Sequence, residues 1–256
     1  MDSKNTNNSL SFLDDWVKIK VAYSLNKASN TDINLKKIEE TLVCFKNILR
    51  ERQKINKEES TEFNYFRFFN LNETKHSELL AFLLNPYEQH GQGMLFLKLF
   101  LNKLGVIENE KTKWYVTAEK ERIDILIKCY NPETVIILEN KSNGAIDQEN
   151  QLYRYWHKHI YKVDNPQDFN SEDVKIRYQI VYLAPNRNKI PSNNSLTRPV
   201  SLEKENPNET ILTIPTMLLF SEIASCLEPA IELLHEKNFR LKEYLKQYFE
   251  TLKNIN

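Results

Sequence analysis

The chain has 256 residues, enough for one large domain or two small ones, because domains usually run to about 100 to 200 residues. Hydrophobic residues make up 41% and charged residues 27%, which excludes wholesale disorder, and four glycines are too few for a collagen-like repeat. Lys plus Arg (35) equals Asp plus Glu (35), so no bulk charge pulls the molecule onto nucleic acid or an anionic membrane. A site for a polyanion must therefore be a local patch.

Cysteine usage and hydrophobic runs indicate a reduced, cytoplasmic protein. Cys44, Cys129 and Cys226 are odd in number and far apart, which fits neither a disulfide framework nor metal-ligand spacing. The first residues are polar and show no secretion signal. The most apolar run, 94–101, is far shorter than the roughly 20 residues that span a bilayer. We therefore expect no membrane segment.

Helical spacing of apolar residues predicts an N-terminal helical extension over residues 1–62, with Thr31 placed to cap its second helix. An aromatic segment, Phe63–Leu71, follows. Asn72 is placed to cap the next helix, which runs to about Leu84 and stops before a proline. A further helix, Met94–Leu104, is predicted to end at a left-handed glycine.

Three consecutive strands follow, because β-branched and aromatic residues replace the helical spacing. The predicted strands are Trp114–Ala118, Arg122–Lys128 and Val135–Asn140. Asp147 is placed to cap a helix over Gln148–Tyr161, and a fourth strand covers Tyr178–Leu183. A polar connection leads to a C-terminus predicted to be helical from Pro215 and interrupted near Pro229. This order indicates one mixed α/β core over 63–185, with residues 186–256 packing on it.

Charged residues interrupt two of these apolar strands at one place. Side chains alternate along a strand, so Glu139 and Lys141 end the same face of the third strand. Asp124 lies between two isoleucines in the preceding strand. If a hairpin turns at Asn131-Pro132, its register pairs Asp124 with Glu139 and brings their Cβ atoms to about 5 Å. Two carboxylates would then face each other.

Facing carboxylates need a cation or a shared proton, because like charges repel and burial of an uncompensated ion is costly. Mg²⁺ prefers such oxygen ligands and usually keeps waters while it contacts a phosphate. Lys141 would be placed to orient or deprotonate a water, or to stabilise charge at phosphorus. The alternative is a surface salt bridge between Glu139 and Lys141, with Asp124 on a solvated edge. An aspartate inside an apolar strand favours the metal site.

These residues resemble the PD-(D/E)XK nuclease superfamily. Asp124 and Glu139-Asn140-Lys141 lie on successive strands, and Arg122-Ile123-Asp124-Ile125 and Gln151-x-x-x-Tyr155 are similar to one bacterial branch. Glu73-Thr74-Lys75-His76-Ser77 resembles the same branch. The resemblance implies a restriction-endonuclease-like core, with a mixed four-stranded sheet in α-β-β-β-α-β order and added helices at both ends.

The resemblance also implies Mg²⁺-dependent hydrolysis of phosphodiester bonds, with Mn²⁺ as a substitute ion. The implied catalytic residues are Asp124, Glu139, Lys141, Glu73 and Gln151, and the implied metal ligands are Asp124, Glu139, Asn140 through its carbonyl, and Glu73. The implied substrate is nucleic acid, DNA rather than RNA, in defence or repair. Arg154 and Lys158 recur at helical spacing among aromatic residues and would track a phosphate backbone. Tyr155 is implied to contact a phosphate, and His76 is a further candidate.

Each of these interpretations has an alternative. The aromatic residues of the basic helix would equally pack on the sheet while its cations stay solvated, and His76 would equally be a packed core histidine. A protein that keeps the fold would bind nucleic acid or another protein without cutting it. The helical ends are candidate surfaces for a homodimer or a protein partner.

Overall fold

A computed structural model describes residues 17–18, 31–69, 71–108, 112–120, 122–161 and 168–255, with the backbone alone at residues 31–34. The described part divides into two compact units, Met1–Phe63 and Asn64–Asn256. The first predicted helix lies outside the described residues apart from Val17 and Lys18, which are helical. None of the described helices is long and apolar enough to cross a bilayer.

The described helices are α1 (Thr31–Glu59), α2 (Glu73–Leu84), α3 (Leu95–Lys103), α4 (Gln151–Trp156), α5 (Glu172–Arg177), α6 (Asn193–Leu196), α7 (Phe220–Leu227), α8 (Ala230–Leu233) and α9 (Phe239–Lys253). Helix α1 begins at Thr31 and belongs to the first unit. The predicted cap of α2 is confirmed, because the Asn72 side chain accepts a hydrogen bond from Lys75 N. The predicted interruption near Pro229 separates α7 from α8.

Five strands form one mixed sheet in the order β1-β2-β3-β4-β5. The strands are β1 (Trp114–Lys120), β2 (Ile123–Tyr130), β3 (Glu133–Asn140), β4 (Tyr178–Ala184) and β5 (Thr216–Leu219). The first three pair antiparallel, and β4 and β5 are parallel to β3 and β4 respectively. This arrangement confirms the predicted α/β fold and its order of helix, three strands, helix and strand.

The fifth strand corrects the prediction of a four-stranded sheet. Residues 216–219 were expected to be helical, but they pair with β4, and α7 begins only at Phe220. A short apolar run fits a buried strand as well as a helix, so its sequence alone does not decide between them. The helix start is fixed by the Glu222 carboxylate, which accepts a hydrogen bond from Leu219 N at 2.7 Å.

The helix after β3 also differs from the prediction. It was expected over Gln148–Tyr161 with Asp147 as its cap, but α4 begins at Gln151, preceded by Asn150 in the left-handed conformation (φ 55°). A π-helical turn, His157–Tyr161, follows α4. Asp147 is therefore not a cap, and its carboxylate is available for contacts elsewhere.

The sheet separates two hydrophobic cores, as the alternation along β3 predicts. Ile136 and Leu138 pack in the core that contains α2, α3, α7 and α9. Val135 and Ile137 pack in the opposite core, against the aromatic residues of α4. One end of the sheet brings several chain segments together, namely the ends of β3 and β4 and the starts of β2 and α4.

Candidate active site

The hairpin of β2 and β3 brings the predicted carboxylates together. Tyr130 pairs with Glu133 across a two-residue turn, and the register runs on through Ile125 and Leu138. The next position in this register places Asp124 opposite Glu139, which confirms the predicted pairing. Asn140 N donates a hydrogen bond to Asp124 Oδ2 at 2.6 Å and ties the two strand ends together.

Glu139 is almost completely buried, with 1% of its surface exposed. Its Oε1 atom accepts hydrogen bonds from Gln151 Nε2 and Lys141 Nζ, each at 2.7 Å. Its Oε2 atom is buried and has no hydrogen-bond partner among the described residues. A buried carboxylate oxygen without a partner is costly, so this atom is placed for a group that the protein itself does not supply.

Burial is the largest influence on the protonation of both carboxyls. It raises the pKa of Asp124 to about 6, opposed chiefly by the hydrogen bond from Asn140 N. Burial also raises the pKa of Glu139 to about 8, with a further increase from Asp124 and a decrease from Lys141. A neighbouring cation would lower the pKa of both carboxyls, since a positive charge favours the ionised form.

Lys141 lies among acidic and amide groups. Its Nζ is 2.7 Å from Glu139 Oε1, 3.5 Å from Asp147 Oδ1 and 3.4 Å from Gln151 Oε1. Burial lowers the pKa of this ammonium, but Glu139, Asp147 and Glu73 outweigh that effect and raise it above the ordinary lysine value. Lys141 is therefore held as a cation with its donors directed at the site.

Asp147 is a site residue that the sequence did not reveal. Its side chain is buried, accepts a hydrogen bond from Tyr182 Oη at 2.8 Å, and accepts another from Ser192 N at 2.7 Å. These contacts orient the carboxylate toward Lys141. Its position before a predicted helix indicates a helix cap. Nothing in the neighbouring sequence indicates that the loop directs the Asp147 side chain toward the sheet.

Asn140 joins the end of β3 to the first turn of α2. Its Nδ2 donates to Glu73 O at 2.8 Å and to Ser77 Oγ at 3.0 Å, and its Oδ1 accepts from Ser142 N at 2.9 Å. The Glu73 carboxylate accepts a hydrogen bond from Ala145 N at 3.4 Å. The start of α2 is thus anchored beside the two strand carboxylates.

Gln151 and Tyr155 face the same way, one turn apart on α4, as their spacing predicts. Gln151 Nε2 donates to Tyr155 Oη at 3.1 Å, in addition to its contacts with Glu139 and Lys141. The Tyr155 hydroxyl donates to the carbonyl oxygen of Arg122. Gln151 therefore positions the carboxylate and the ammonium, and Tyr155 positions Gln151.

If the site cleaves nucleic acid, as the sequence predicts, we expect Gln151→Leu to lower the cleavage rate by about 10- to 100-fold, the range found when a partner that orients a metal ligand is removed. The leucine fills the space but can neither donate to Glu139 nor accept from Lys141. Single-turnover kinetics check this prediction, and Gln151→Glu is the matched variant that restores only an acceptor. Wild-type rates in Gln151→Leu would contradict the positioning role.

The donor set suits a hard divalent cation. Asp124 and Glu139 supply oxygen atoms, and the orphaned Oε2 of Glu139 is the observation that favours an ion. Among the described residues, no group of three or more His, Cys, Asp or Glu side chains lies close enough to hold an ion by itself. The remaining ligands would then be backbone carbonyls, waters or substrate, as is usual for Mg²⁺.

The predicted nucleic-acid residues divide between two places. Arg154 on α4 and Lys158 on the following π-helical turn are exposed, and they line a cavity of about 370 Å³ with Arg122, Tyr155 and His159. Tyr155 itself is buried. His76 is also buried and lines a different cavity, between α2 and α9.

The family model described as PD-(D/E)XK nuclease superfamily matches residues 63–255. The comparisons with curated proteins and with solved structures gave no match. The matched range contains the whole site described above.

Proposed function

The chain belongs to the PD-(D/E)XK nuclease superfamily, and we propose that it is a Mg²⁺-dependent deoxyribonuclease in which Mn²⁺ can replace Mg²⁺. The observation that carries this proposal is the buried pair of carboxylates, Asp124 and Glu139, with an unpartnered oxygen and the Lys141 ammonium beside it. Purely structural salt bridges do not need a second carboxylate or an orphaned oxygen.

In this proposal Asp124, Glu139 and the carbonyl of Asn140 would hold the ion, and Glu73 would contribute directly or through water. A divalent ion in this position supplies Lewis-acid stabilisation of charge on phosphoryl oxygens and makes water a better nucleophile. The position of Glu73 favours its role as a ligand, because the Asn140 side chain donates a hydrogen bond to its carbonyl oxygen and so holds the first turn of α2 at the end of β3.

The protein's own groups position the reaction. Lys141 presents an ammonium that orients a water or stabilises negative charge developing at phosphorus, since its carboxylate neighbours keep it charged. Gln151 contacts both the Lys141 ammonium and the Glu139 carboxylate and so fixes their relative position. Asp147 is a second acidic neighbour of the ammonium. Catalysis would thus depend on positioning and electrostatics.

The cavity lined by Arg122, Arg154 and Lys158 supports a polyanionic substrate. Three cations lie together on a chain whose total charge is zero, and Tyr155 links this cavity to Gln151 and the carboxylates. Cations so placed would bind phosphates that flank the scissile one. The preference for DNA, a cytoplasmic setting and a role in defence or repair stay predictions from the sequence.

The test is cleavage of plasmid, linear duplex DNA, single-stranded DNA and RNA of matched sequence. We expect DNA to be cut in Mg²⁺ or Mn²⁺ and to stay intact in EDTA, because a bound cation would be needed to compensate the charges of Asp124 and Glu139. Asp124→Ala, purified in the same way, controls for contaminating nuclease. Equal cleavage by that variant, or none by the wild type in any metal, would reject the proposal and leave a non-catalytic binding module.

A further inference from the structure

A second cavity, of about 390 Å³, lies beside the candidate active site and has no role in the mechanism above. Ser142 and Asn143, which line it, directly follow Lys141 in the chain. His76, also in its wall, lies three residues, about 4.5 Å of helical rise, beyond Glu73. The cavity is therefore next to the end of β3 and the start of α2, which carry candidate site residues.

Two phenylalanines, Phe66 and Phe69, contribute to the lining of this cavity. The short helical turn Tyr65–Phe68 and the following Phe69 belong to the aromatic segment noted in the sequence. Phe69 lines the cavity with 49% of its surface exposed, and the centroid of its ring lies 4.7 Å from that of the Tyr65 ring. The exposed part of the Phe69 ring is available to a planar ligand in the cavity.

Buried polar contacts hold this aromatic segment in place. Asn64 Nδ2 donates to Gln247 O at 2.9 Å, and Gln247 Oε1 accepts from Tyr65 N at 2.6 Å. Asn64 Oδ1 accepts from Phe66 N at 2.9 Å. The segment is thus fixed to α9 at one end, and its rings are presented on a rigid support.

The other walls are polar but nearly neutral. Burial lowers the pKa of His76 to about 4, so its ring is uncharged at neutral pH. Asn143 and Asn254 contribute amide groups. The cation in the lining, Arg67, lies 3.8 Å from the Glu250 carboxylate, which offsets its charge. Phosphate would gain little here, whereas a planar heterocycle with polar edges matches aromatic, imidazole and amide groups.

We propose that this cavity binds one unpaired nucleobase of the nucleic-acid strand whose phosphate lies at Asp124 and Glu139. The inference rests on the proposed function, and it specifies the substrate as a single strand, a frayed end or an unpaired loop. The base stacks on Phe69, and its polar edge meets His76 and Asn143. A volume of about 390 Å³ is large enough for a base with its sugar. A base can stack on a protein ring only when it has left the base stack of a duplex.

The experiment uses the full chain in EDTA, so that cleavage does not consume the probe. Short single-stranded DNA oligonucleotides carry 2-aminopurine at successive positions, and quenching of its fluorescence reports stacking. We expect quenching at one position, and at least about fivefold weaker binding by Phe69→Ala, since stacking on one aromatic residue has this size of effect. Phe239→Ala is the matched control, because Phe239 is 66% exposed and lies outside this cavity.

One further variant and two further probes test the same cavity independently. Asn143→Ala, in an exposed loop, should weaken binding in the same direction without touching the aromatic segment. An abasic nucleotide at the quenched position should bind as weakly as Phe69→Ala binds the intact probe, and RNA of the same sequence separates base from sugar recognition. Equal binding by Phe69→Ala and wild type, or equal binding of a fully paired duplex, would overturn the inference.

The two proposals fail separately. Metal-dependent cleavage that is insensitive to Phe69→Ala and to abasic substitution would reject the base cavity and leave the nuclease proposal intact. Position-specific quenching without cleavage in any metal would reject the nuclease proposal and leave base binding.

Discussion

Lys141→Met lowers the rate of metal-dependent cleavage by about 10²- to 10³-fold, the effect expected when a single preorganised donor to a developing charge is removed. Methionine preserves the length of the side chain and removes its charge. Glu139 then loses a hydrogen bond of 2.7 Å, but burial already favours its protonated form, and Asp147 keeps Tyr182 and Ser192 as partners. We therefore expect a folded, nearly inactive protein.

Single-turnover cleavage with saturating protein checks this effect, because it reports the chemical step without product release. Lys175→Met is the control, since Lys175 is exposed and pairs only with Glu172 on the surface of α5 among the contacts described. The thermal transition of both variants should stay cooperative. A Lys141→Met rate close to that of Lys175→Met would show that the ammonium has no part in the reaction.

We expect Mg²⁺ at about 100 times its Kd at pH 6.5 to raise the midpoint of thermal unfolding by about 5 to 10 °C, and the same Mg²⁺ concentration to raise it further at pH 8.5. The direction of this pH dependence follows from the carboxyl groups of Asp124 and Glu139. Their pKa values in the folded, metal-free protein lie above the ordinary values, so folding takes up protons and the metal-free protein loses stability as the pH rises through about 8. An ion binds the deprotonated pair and reverses this loss.

We expect Glu139 to account for most of the change in stability between pH 6.5 and pH 8.5, because Asp124, with a pKa of about 6, and His76, with a pKa of about 4, titrate mainly below this range. The loss for Glu139 alone is about 1 to 2 kcal/mol of unfolding free energy between pH 6.5 and pH 8.5, at 1.36 kcal/mol per pKa unit. Glu139→Gln removes the titrating group and keeps its shape. Scanning calorimetry with and without Mg²⁺ measures both effects, and a Glu139→Gln protein that keeps the wild-type pH slope and Mg²⁺ response would contradict the assignment.

The central part of the site was predictable because it is local in the sequence. Asp124 and Glu139 belong to one hairpin, and a two-residue turn with alternating side chains fixes their register. Gln151 and Tyr155 were predictable for a similar reason, since positions i and i+4 on a helix share a face. These patterns need no information about distant parts of the chain.

The features that were missed depend on long-range contacts. Asp147 turns toward Lys141 because Ser192 N and Tyr182 Oη hold its carboxylate, and both partners lie more than 30 residues away. The strand β5 exists because β4 offers it a free edge. Its four residues contain no periodic signal strong enough to distinguish a strand from the start of a helix.

The hydrogen bonds of Asn140 have a consequence for the choice of ion. Because this side chain joins the end of β3 to the carbonyl of Glu73 and to Ser77, the backbone around the carboxylates behaves as one rigid frame. If the proposed ion lies here, a cation of different ionic radius would be accommodated by rotation of carboxylate side chains, above all that of Glu73, whose carboxylate has a single 3.4 Å contact with Ala145 N among the hydrogen bonds described. The proposed tolerance of Mn²⁺ in place of Mg²⁺ would then depend on the torsion angles of the Glu73 side chain.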